Sequence, residues 1–476
     1  MIKSMIRVLP IPEPWSHIRE RILAEIKPSI EEKKELLDFL AGVKMRLSQA
    51  LDKGEIKASV EIHGSVARDT WLKGLKDADI FVVMDRSNGR KSLFKVNDIV
   101  KDFVGEGWTE AYAEHPYIKA EINGFDIEFI PCFKTDPNDK LFSAADRSPL
   151  HTDYIKKHLR VEQSDEVRLL KSFMRGVGVY GAEIKIGGFS GYLCELLIIA
   201  FGSFEEVIET AAKWGDPNVI QLEAQRSIVS LKKRFKEPFI VIDPVDVNRN
   251  VASAVSKTSF WTFVAAARAF IAKPGPGFFK PGQDHVTSRN VLAQINGRGT
   301  DLVFIAVKNE DPPVPDALWG QLFKAEKSLA RSLEEKNFRV LRSATWSDER
   351  ERYIHVFELE SSKLTQTVMK IGPPVYLPQD SNDFITKYIG SETVSGPGID
   401  GEKLWVEVKR KNMDAQLFLR ELLMFGVQDV GIPKQLVKKI IAGGEVFLNS
   451  EIEHHLRGGF TEFLHVFLKG RPDWLV

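Results

Sequence analysis

The stretch that most limits how this chain can fold is GSVARDTWLKGLKDADIFVV, residues 64–83, in which a Gly-Ser pair precedes two acids, Asp77 and Asp79, at the mouth of an apolar run. Before it, KASVEIH (57–63) has strand chemistry; the residues after Gly64-Ser65 read as a short helix, and ADIFVVMD (78–85) reads as a second strand. Side chains alternate along a strand, so Asp77 and Asp79 share one face while Ala78 and Ile80 turn into the core. Further on, YIKAEINGFDIEFIPCF (117–133) alternates on both sides of Asn123-Gly124, a strong hairpin signal that places Asp126 on the hairpin's second strand.

Two like charges on neighbouring positions repel unless one keeps a proton or a cation neutralises them. With Asp126 as a third acid and no His or Cys in the motif, the donor set suits a hard cation such as Mg²⁺ better than zinc. Paired cations of that kind stabilise the attacking and leaving oxygens of an in-line phosphoryl displacement. The Gly-Ser turn supplies a complementary half: glycine lets backbone N–H groups approach a phosphate, and a helix N-terminus favours negative charge. Gly64 and Ser65 are therefore candidates for the β- and γ-phosphates of a nucleotide, and Arg68 for a charge-assisted contact to them. Neither a Gly-Ser pair nor an Asp-x-Asp pair is specific alone; the reading rests on their combination with the acid of the hairpin.

The rest of the chain sets this motif in a multidomain protein. Its 476 residues are enough for three or four domains, and no run reaches the length of a membrane helix. The start, MIKSMIRVLPIPEPW, lacks the layout of a signal peptide, so a cytoplasmic location is expected, with no membrane partner. Lys and Arg equal Asp and Glu at 66 each, so net charge decides nothing about nucleic acid; basic clusters stand at 232–235, 408–412 and 433–441. Cys132 and Cys194 lie inside apolar stretches and read as core residues. From Ser148 to about Lys273 the pattern is helical, and GPGFFKPGQ (275–283) reads as a linker. Beyond it, a strand at 301–309, a helix at 317–338, strands at 339–347 and 352–360, a weaker helix at 381–390 and a strand at 403–411 give the β-α-β-β-α-β order of ferredoxin-like and RNA-recognition folds. The last residues are amphipathic and partly basic. GVGVYG (176–181) satisfies the dinucleotide pattern G-x-G-x-x-G, but it follows a helical run and reads as a helix-ending turn.

GSVARDTWLKG followed by Asp-x-Asp closely resembles the head of archaeal class I CCA-adding enzymes, tRNA nucleotidyltransferases of the superfamily that also holds poly(A) polymerases. FDIEFIPCF, DRSPLH, EVRLLKSFMRGVGVYGAE, GGFSGYLCELLI, DPVDVNRNVA, GFFKP and LRSA resemble blocks of that family in the same order, through about residue 345. The E-D-x-x-R element of the bacterial and eukaryotic class is not found. The resemblance implies an α+β multidomain fold: a nucleotidyltransferase, polymerase-β-like head with a mixed sheet (1–147), a helical neck that binds nucleotide (148–273), a ferredoxin- or RNA-recognition-like body (274–411) and a mainly helical tail (412–476).

It also implies template-independent addition of C, C and A to the 3′ end of tRNA from CTP and ATP, with release of pyrophosphate and Mg²⁺ as cofactor. Asp77, Asp79 and Asp126 would carry the metals, with Asp126 nearest the 3′-hydroxyl. Ser148, His151, Lys171 and Tyr180 would meet the triphosphate and sugar, and Arg249 the base edge. On the residues alone, each of those five has an ordinary reading as a helix-start, surface, core or ion-pair residue. The body and tail would hold the upper half of tRNA; whether two copies form a homodimer stays open. One departure is that the family's first acid can be Glu where this chain has Asp77; Lys76 beside it is of undecided direction. A poly(A) or other terminal nucleotidyltransferase, or an inactive RNA-binding protein of the same fold, are the alternatives.

Overall fold

The mixed sheet that carries the acids is built from strands far apart in the chain. A computed structural model describes residues 15–75, 77–112, 115–136, 142–223, 226–280 and 286–475. Lys76 and the linker's residues 281–283 lie outside the described residues, as do residues 1–14. The chain divides into two compact units, residues 1–283 with 472–476, and residues 284–471.

In the first unit, α1 (Trp15–Ile26) and α2 (Ile30–Lys53) lead into β1 (Ala58–His63), α3 (Gly64–Ala67), β2 (Asp77–Met84), α4 (Lys91–Val104), β3 (Trp108–Tyr112), β4 (Pro116–Ile122) and β5 (Phe125–Phe133). The sheet runs β1-β2-β5-β4-β3, with β2 and β5 parallel and the other pairs antiparallel. A capping box between Ser29 and Glu32 starts α2, and its buried Leu36, Leu40, Val43, Leu47 and Leu51 recur at helical spacing. They pack with Val96 and Val100 of α4 on Ala78, Ile80, Ile127 and Phe129, the residues of β2 and β5 that alternate with the acids. The hairpin closes at Asn123 and Gly124, both with positive φ (54° and 74°), as a primed two-residue turn requires.

The helical part follows: α5 (Arg147–His158), α6 (Gln163–Gly176), α7 (Gly191–Phe201), α8 (Phe204–Ala211), β6 (Asn218–Ile220), α9 (Ile228–Arg234), β7 (Phe239–Val241) and α10 (Lys257–Ala272). Its core is strongly aromatic, with Phe173 against Phe204, Phe263, Phe270, Phe278 and Phe279. Helix α1, inside the span expected for the head, joins this core through Trp15, and so does Trp474 near the chain's end. The GVGVYG stretch ends α6, with Gly178 and Gly181 at positive φ, in agreement with its reading as a turn. Both cysteines are buried.

The second unit holds α11 (Ser288–Asn296), β8 (Asp301–Lys308), α12 (Pro315–Glu335), β9 (Val340–Ser347), β10 (Arg352–Leu359), β11 (Thr367–Pro374), α13 (Pro378–Ile389), β12 (Thr393–Asp400), β13 (Lys403–Lys409), α14 (Ala415–Phe425), α15 (Lys434–Gly443), β14 (Glu445–Leu448) and α16 (Gly459–Lys469). Its antiparallel sheet, in the order β14-β8-β10-β9, has the ferredoxin-like arrangement, but not with the elements expected. The last strand is β14, reached through α14 and α15. The helix at 381–390 and the strand at 403–411 belong instead to a separate three-stranded sheet, β11-β13-β12. Strands β11 and β12 escaped the sequence reading because Pro373, Pro374 and Pro397 argue against strands, and both are edges, where proline is tolerated. The four-stranded sheet is covered on both faces: α12, α14 and α15 pack on Val303, Ile305, Tyr353 and Phe357, and α11 and α16 on Leu302, Phe304, Ile354 and Val356. It therefore lacks the open face on which RNA-recognition folds stack bases.

Candidate active site

The register of two parallel strands assembles the acids. Asp77 of β2 stands opposite Asp126 of β5, and Asp79 stands opposite Glu128. All four project from the face that α2 and α4 leave uncovered. Glu128 was missed by the sequence reading, although FDIEF carried the signal: it alternates with Asp126 on one face of the same strand. Lys119 of β4 pairs with Glu128 at 2.5 Å, and Glu128's charge holds the Lys119 ammonium above its usual range although burial opposes it.

Strand β1 ends beside this row, with His63 opposite Asp79, so α3 begins against the acids. Gly64 has φ +66°, and a Cβ there would collide with the Asp79 carboxylate; only glycine permits both the turn and the approach. Burial and the Glu128 charge push the Asp79 carboxyl up to about 6, and partial burial with the charges of Asp126 and Glu128 raises Asp77 as well. This is a concentration of negative charge that a cation would relieve. Among the described residues no group of three or more His, Cys, Asp or Glu side chains is already drawn together to hold a metal ion. An open set of carboxylates fits a divalent ion that keeps positions for substrate oxygens, as Mg²⁺ does when bound through one or two carboxylates plus phosphates.

Ser65, Arg68, Asp77, Asp79, Asp126, Lys171 and Tyr180 line one cleft of about 650 Å³, together with Lys119, Glu128 and Tyr192. The helical part supplies its far wall: Lys171 from α6, Tyr180 from the turn after it and Tyr192 from α7. Lys171 is buried and gives hydrogen bonds to the Thr70 carbonyl (3.0 Å) and hydroxyl (3.1 Å). Burial draws its pKa down against the opposing charge of Glu195. Burial raises the Tyr180 and Tyr192 hydroxyls, which keeps both as neutral donors.

His151 and Arg249 meet beside this cleft on an acid that the sequence reading did not single out. The fully buried Asp243 takes His151 Nε2 at 3.0 Å and Arg249 Nη1 at 2.8 Å on one oxygen, and the Tyr192 hydroxyl at 3.3 Å on the other. Burial pushes the Asp243 carboxyl up, but His151 and Arg249 outweigh it and hold it at about 2; burial lowers His151. The Tyr192 ring stacks on His151 with centroids 3.9 Å apart and lies 6.0 Å from the Arg68 guanidinium, which links the two clusters. The signal for Asp243 was an acid ending the apolar run FIVI. Ser148 lies in the first turn of α5, one turn before His151; it is not among the residues lining the cleft.

Three family models match in succession: a nucleotidyltransferase domain over residues 44–151, the second domain of tRNA nucleotidyltransferase over 165–280, and the C-terminal domain of CCA-adding enzyme over 298–449. The chain is 37% identical to the CCA-adding enzyme of Pyrobaculum aerophilum, over 87% of this chain and 96% of that one. The chain belongs to the CCA-adding enzyme family. It is also 34% identical to the CCA-adding enzymes of Methanothermobacter thermautotrophicus (94% of this chain, 97% of that one) and Methanosarcina acetivorans (93% and 95%). A poly(U) polymerase of known structure is similar over 56% of this chain at 16% identity and a TM-score of 0.45, from which nothing about activity follows. As a CCA-adding enzyme, the chain is a nucleotidyltransferase with tRNA and nucleoside triphosphates as substrates, and its fold is one that works with a divalent metal. No described helix is long and apolar enough to cross a membrane.

Proposed function

We propose that this CCA-adding enzyme performs its untemplated addition of C, C and A in the cleft between the acid row and the α6–α7 wall. The observation that carries the reading is the β2–β5 register, Asp77 opposite Asp126 with Asp79 two residues on, set directly against the Gly64-Ser65 turn. Asp77, Asp79 and Asp126 would hold two divalent cations, Mg²⁺ in this reading. When bound, the metal supplies positive charge to the phosphoryl oxygens of an in-line displacement.

The protein's own groups do the rest. Ser65 and the backbone of α3's first turn receive the β- and γ-phosphates, and Arg68 and Lys171 add charge to them. Tyr180 would donate to the same region, and His151 and Ser148, which stand outside the cleft lining, would meet the sugar. The tRNA 3′-hydroxyl attacks the α-phosphorus of CTP or ATP; a P–O bond forms as the bond to pyrophosphate breaks. Asp126, on the central strand of the sheet, accepts or orients the hydroxyl proton.

Arg249, fixed on Asp243, offers its remaining N–H groups to the Watson–Crick edge of cytosine or adenine. Arg249→Ala is expected to raise misincorporation of UTP and GTP about tenfold relative to CTP and ATP, with little change in thermal stability. Unchanged nucleotide preference would remove Arg249 from the base edge. In the same reading the chain divides into head, neck, body and tail, with α1 and Phe278-Phe279 joining the neck's core and α14, α15 and β14 completing the body's sheet; it works in the cytoplasm and holds the upper half of tRNA with its C-terminal parts. A homodimer is tested by mass in solution.

The decisive experiment is incubation with Mg²⁺ and tRNA lacking its last three nucleotides, with each labelled nucleotide singly and then together. Growth by two residues on CTP alone and by three on CTP with ATP is the expected result. A long ladder on ATP alone would mark a poly(A) polymerase, and no incorporation would mark the inactive RNA-binding alternative.

A further inference from the structure

Helix α7, GYLCELLIIAF, is apolar except for Glu195, which is 0% exposed. A buried carboxylate is costly unless partnered, and its partners here are two cations that line the cleft, Arg68 and Lys171, and the buried Thr70 between them. Arg68 Nε lies at 3.2 Å and Lys171 Nζ at 3.7 Å from Oε1, and the Thr70 hydroxyl donates to the same oxygen at 2.5 Å. Oε2 accepts no hydrogen bond among the described residues.

Thr70 thus joins Glu195 to Lys171, which gives a place to a residue of the GSVARDTW motif that the phosphate reading leaves unused. The loop itself does not need Glu195 to hold it. Arg168, one turn before Lys171 on α6, already grips Asp69 through its carbonyl and carboxylate (both 2.5 Å) and the Trp71 carbonyl (3.0 Å). What Glu195 adds is charge, placed under two cations.

We propose that Glu195 is a positioning residue for the incoming triphosphate, fixing the Arg68 guanidinium and the Lys171 ammonium where they line the cleft. It rests on the reading of those two cations as triphosphate ligands. Burial draws the Lys171 pKa down, and Glu195 is the main group opposing it. Cys194 of α7 acts weakly in the same sense as Glu195, Arg68 and Arg168 act against it, and the neutral Tyr180 completes the surroundings. Without the carboxylate the Lys171 pKa falls further, so the ammonium loses its proton as pH rises, and triphosphate affinity falls with it.

The test uses the full-length enzyme with Mg²⁺ and tRNA ending in CC, varying ATP. Glu195→Gln is expected to raise the KM for ATP about tenfold near pH 8 and only about threefold near pH 6.5, with kcat and the KM for tRNA within about twofold. Thr70→Val, which removes the bridging hydroxyl and keeps the shape, should raise the same KM about threefold, and it decides the matter if E195Q does not fold. In a Lys171→Met background, E195Q should add clearly less, about threefold, because only its hold on Arg68 is left to lose. An unchanged KM in E195Q, or in T70V if that variant must decide, overturns the proposal. So does a rise that is the same at both pH values, or one undiminished in the K171M background. If K171M alone leaves the KM for ATP unchanged, the triphosphate reading itself fails and the inference falls with it.

Discussion

The two larger sheets of the molecule treat their faces in opposite ways. In the first unit, α2 and α4 cover one face of β1–β5, and the other keeps Asp77, Asp79, Asp126 and Glu128 in a cleft. In the second unit, helices cover both faces of β14-β8-β10-β9, and the polar groups caught between them are neutral or partnered: Thr345 bonds Glu326 and His355, while the Tyr353 hydroxyl and His355 Nε2 have no hydrogen-bond partner among the described residues. His355 is wholly buried, and burial alone pushes its pKa down to about 3, so it stays neutral over any working range. A like-charged row persists only where something is to be bound against it; a sheet sealed on both sides selects for neutral or satisfied groups. Chemistry therefore belongs to the half-open sheet, and the sealed one serves as a frame.

The largest effects should separate along this line. Asp79→Ala is expected to lower kcat by at least about a thousandfold while tRNA affinity and, in Mg²⁺ buffer, thermal stability stay near wild type, because the carboxylate serves the phosphoryl step. Single-turnover rates and filter binding measure the two halves, and substantial residual turnover would remove Asp79 from the site. Phe357→Ala in the sealed sheet should do the reverse. Phe357 is 0% exposed, so its truncation should cost the second unit about 3–5 kcal/mol in denaturant unfolding, with kcat preserved while the unit remains folded. A fall in kcat well below the unfolding range would show that the second sheet takes part in catalysis and would break the contrast.

The same contrast explains what could be read from the sequence. The acid row was legible because a half-open sheet has period-two alternation and because Gly64-Ser65 and Asn123-Gly124 mark the turns that fix its strands. The strand at 125–133 showed Asp126, yet Glu128 went unremarked for want of a role. Glu195 and Asp243 were hidden more deeply: each is a single acid in an apolar stretch, and its meaning comes from cations that only the fold brings to it, Arg68 and Lys171 for one, His151 and Arg249 for the other. In the second unit the β-α-β-β-α-β order was right, but its last helix and strand were assigned too early. The segment from β11 to β13 is an inserted sheet whose edge strands carry prolines, and nothing local in the sequence says that β14 returns to pair with β8. Long-range pairing of this kind is fixed by which apolar face remains to be covered, not by the strand's own residues.

A smaller effect sharpens the comparison, because a face kept open for a cation should be strained without one. The Asp79 carboxyl stands at about 6 rather than its ordinary 3.8, so the folded protein favours its protonated form. The stability this group contributes is fully present below about pH 4 and is lost as pH rises through about 6, because the ionised carboxylate is then held beside Glu128 and Asp77. Asp79→Asn cannot ionise and escapes that loss. In metal-free buffer, D79N should therefore melt a few degrees above wild type at about pH 7.5, a gain of about 1–2 kcal/mol once the solvent reaching this half-buried side chain is allowed for. The gain should disappear below about pH 4, and it should shrink at pH 7.5 when millimolar Mg²⁺ is added, since the cation stabilises only the wild-type charge. Melting curves at the two pH values, with and without Mg²⁺, measure this directly. Equal melting temperatures for D79N and wild type in metal-free buffer at pH 7.5 would mean that the acid row is already relieved within the protein, and the open face would then need another explanation than a cation.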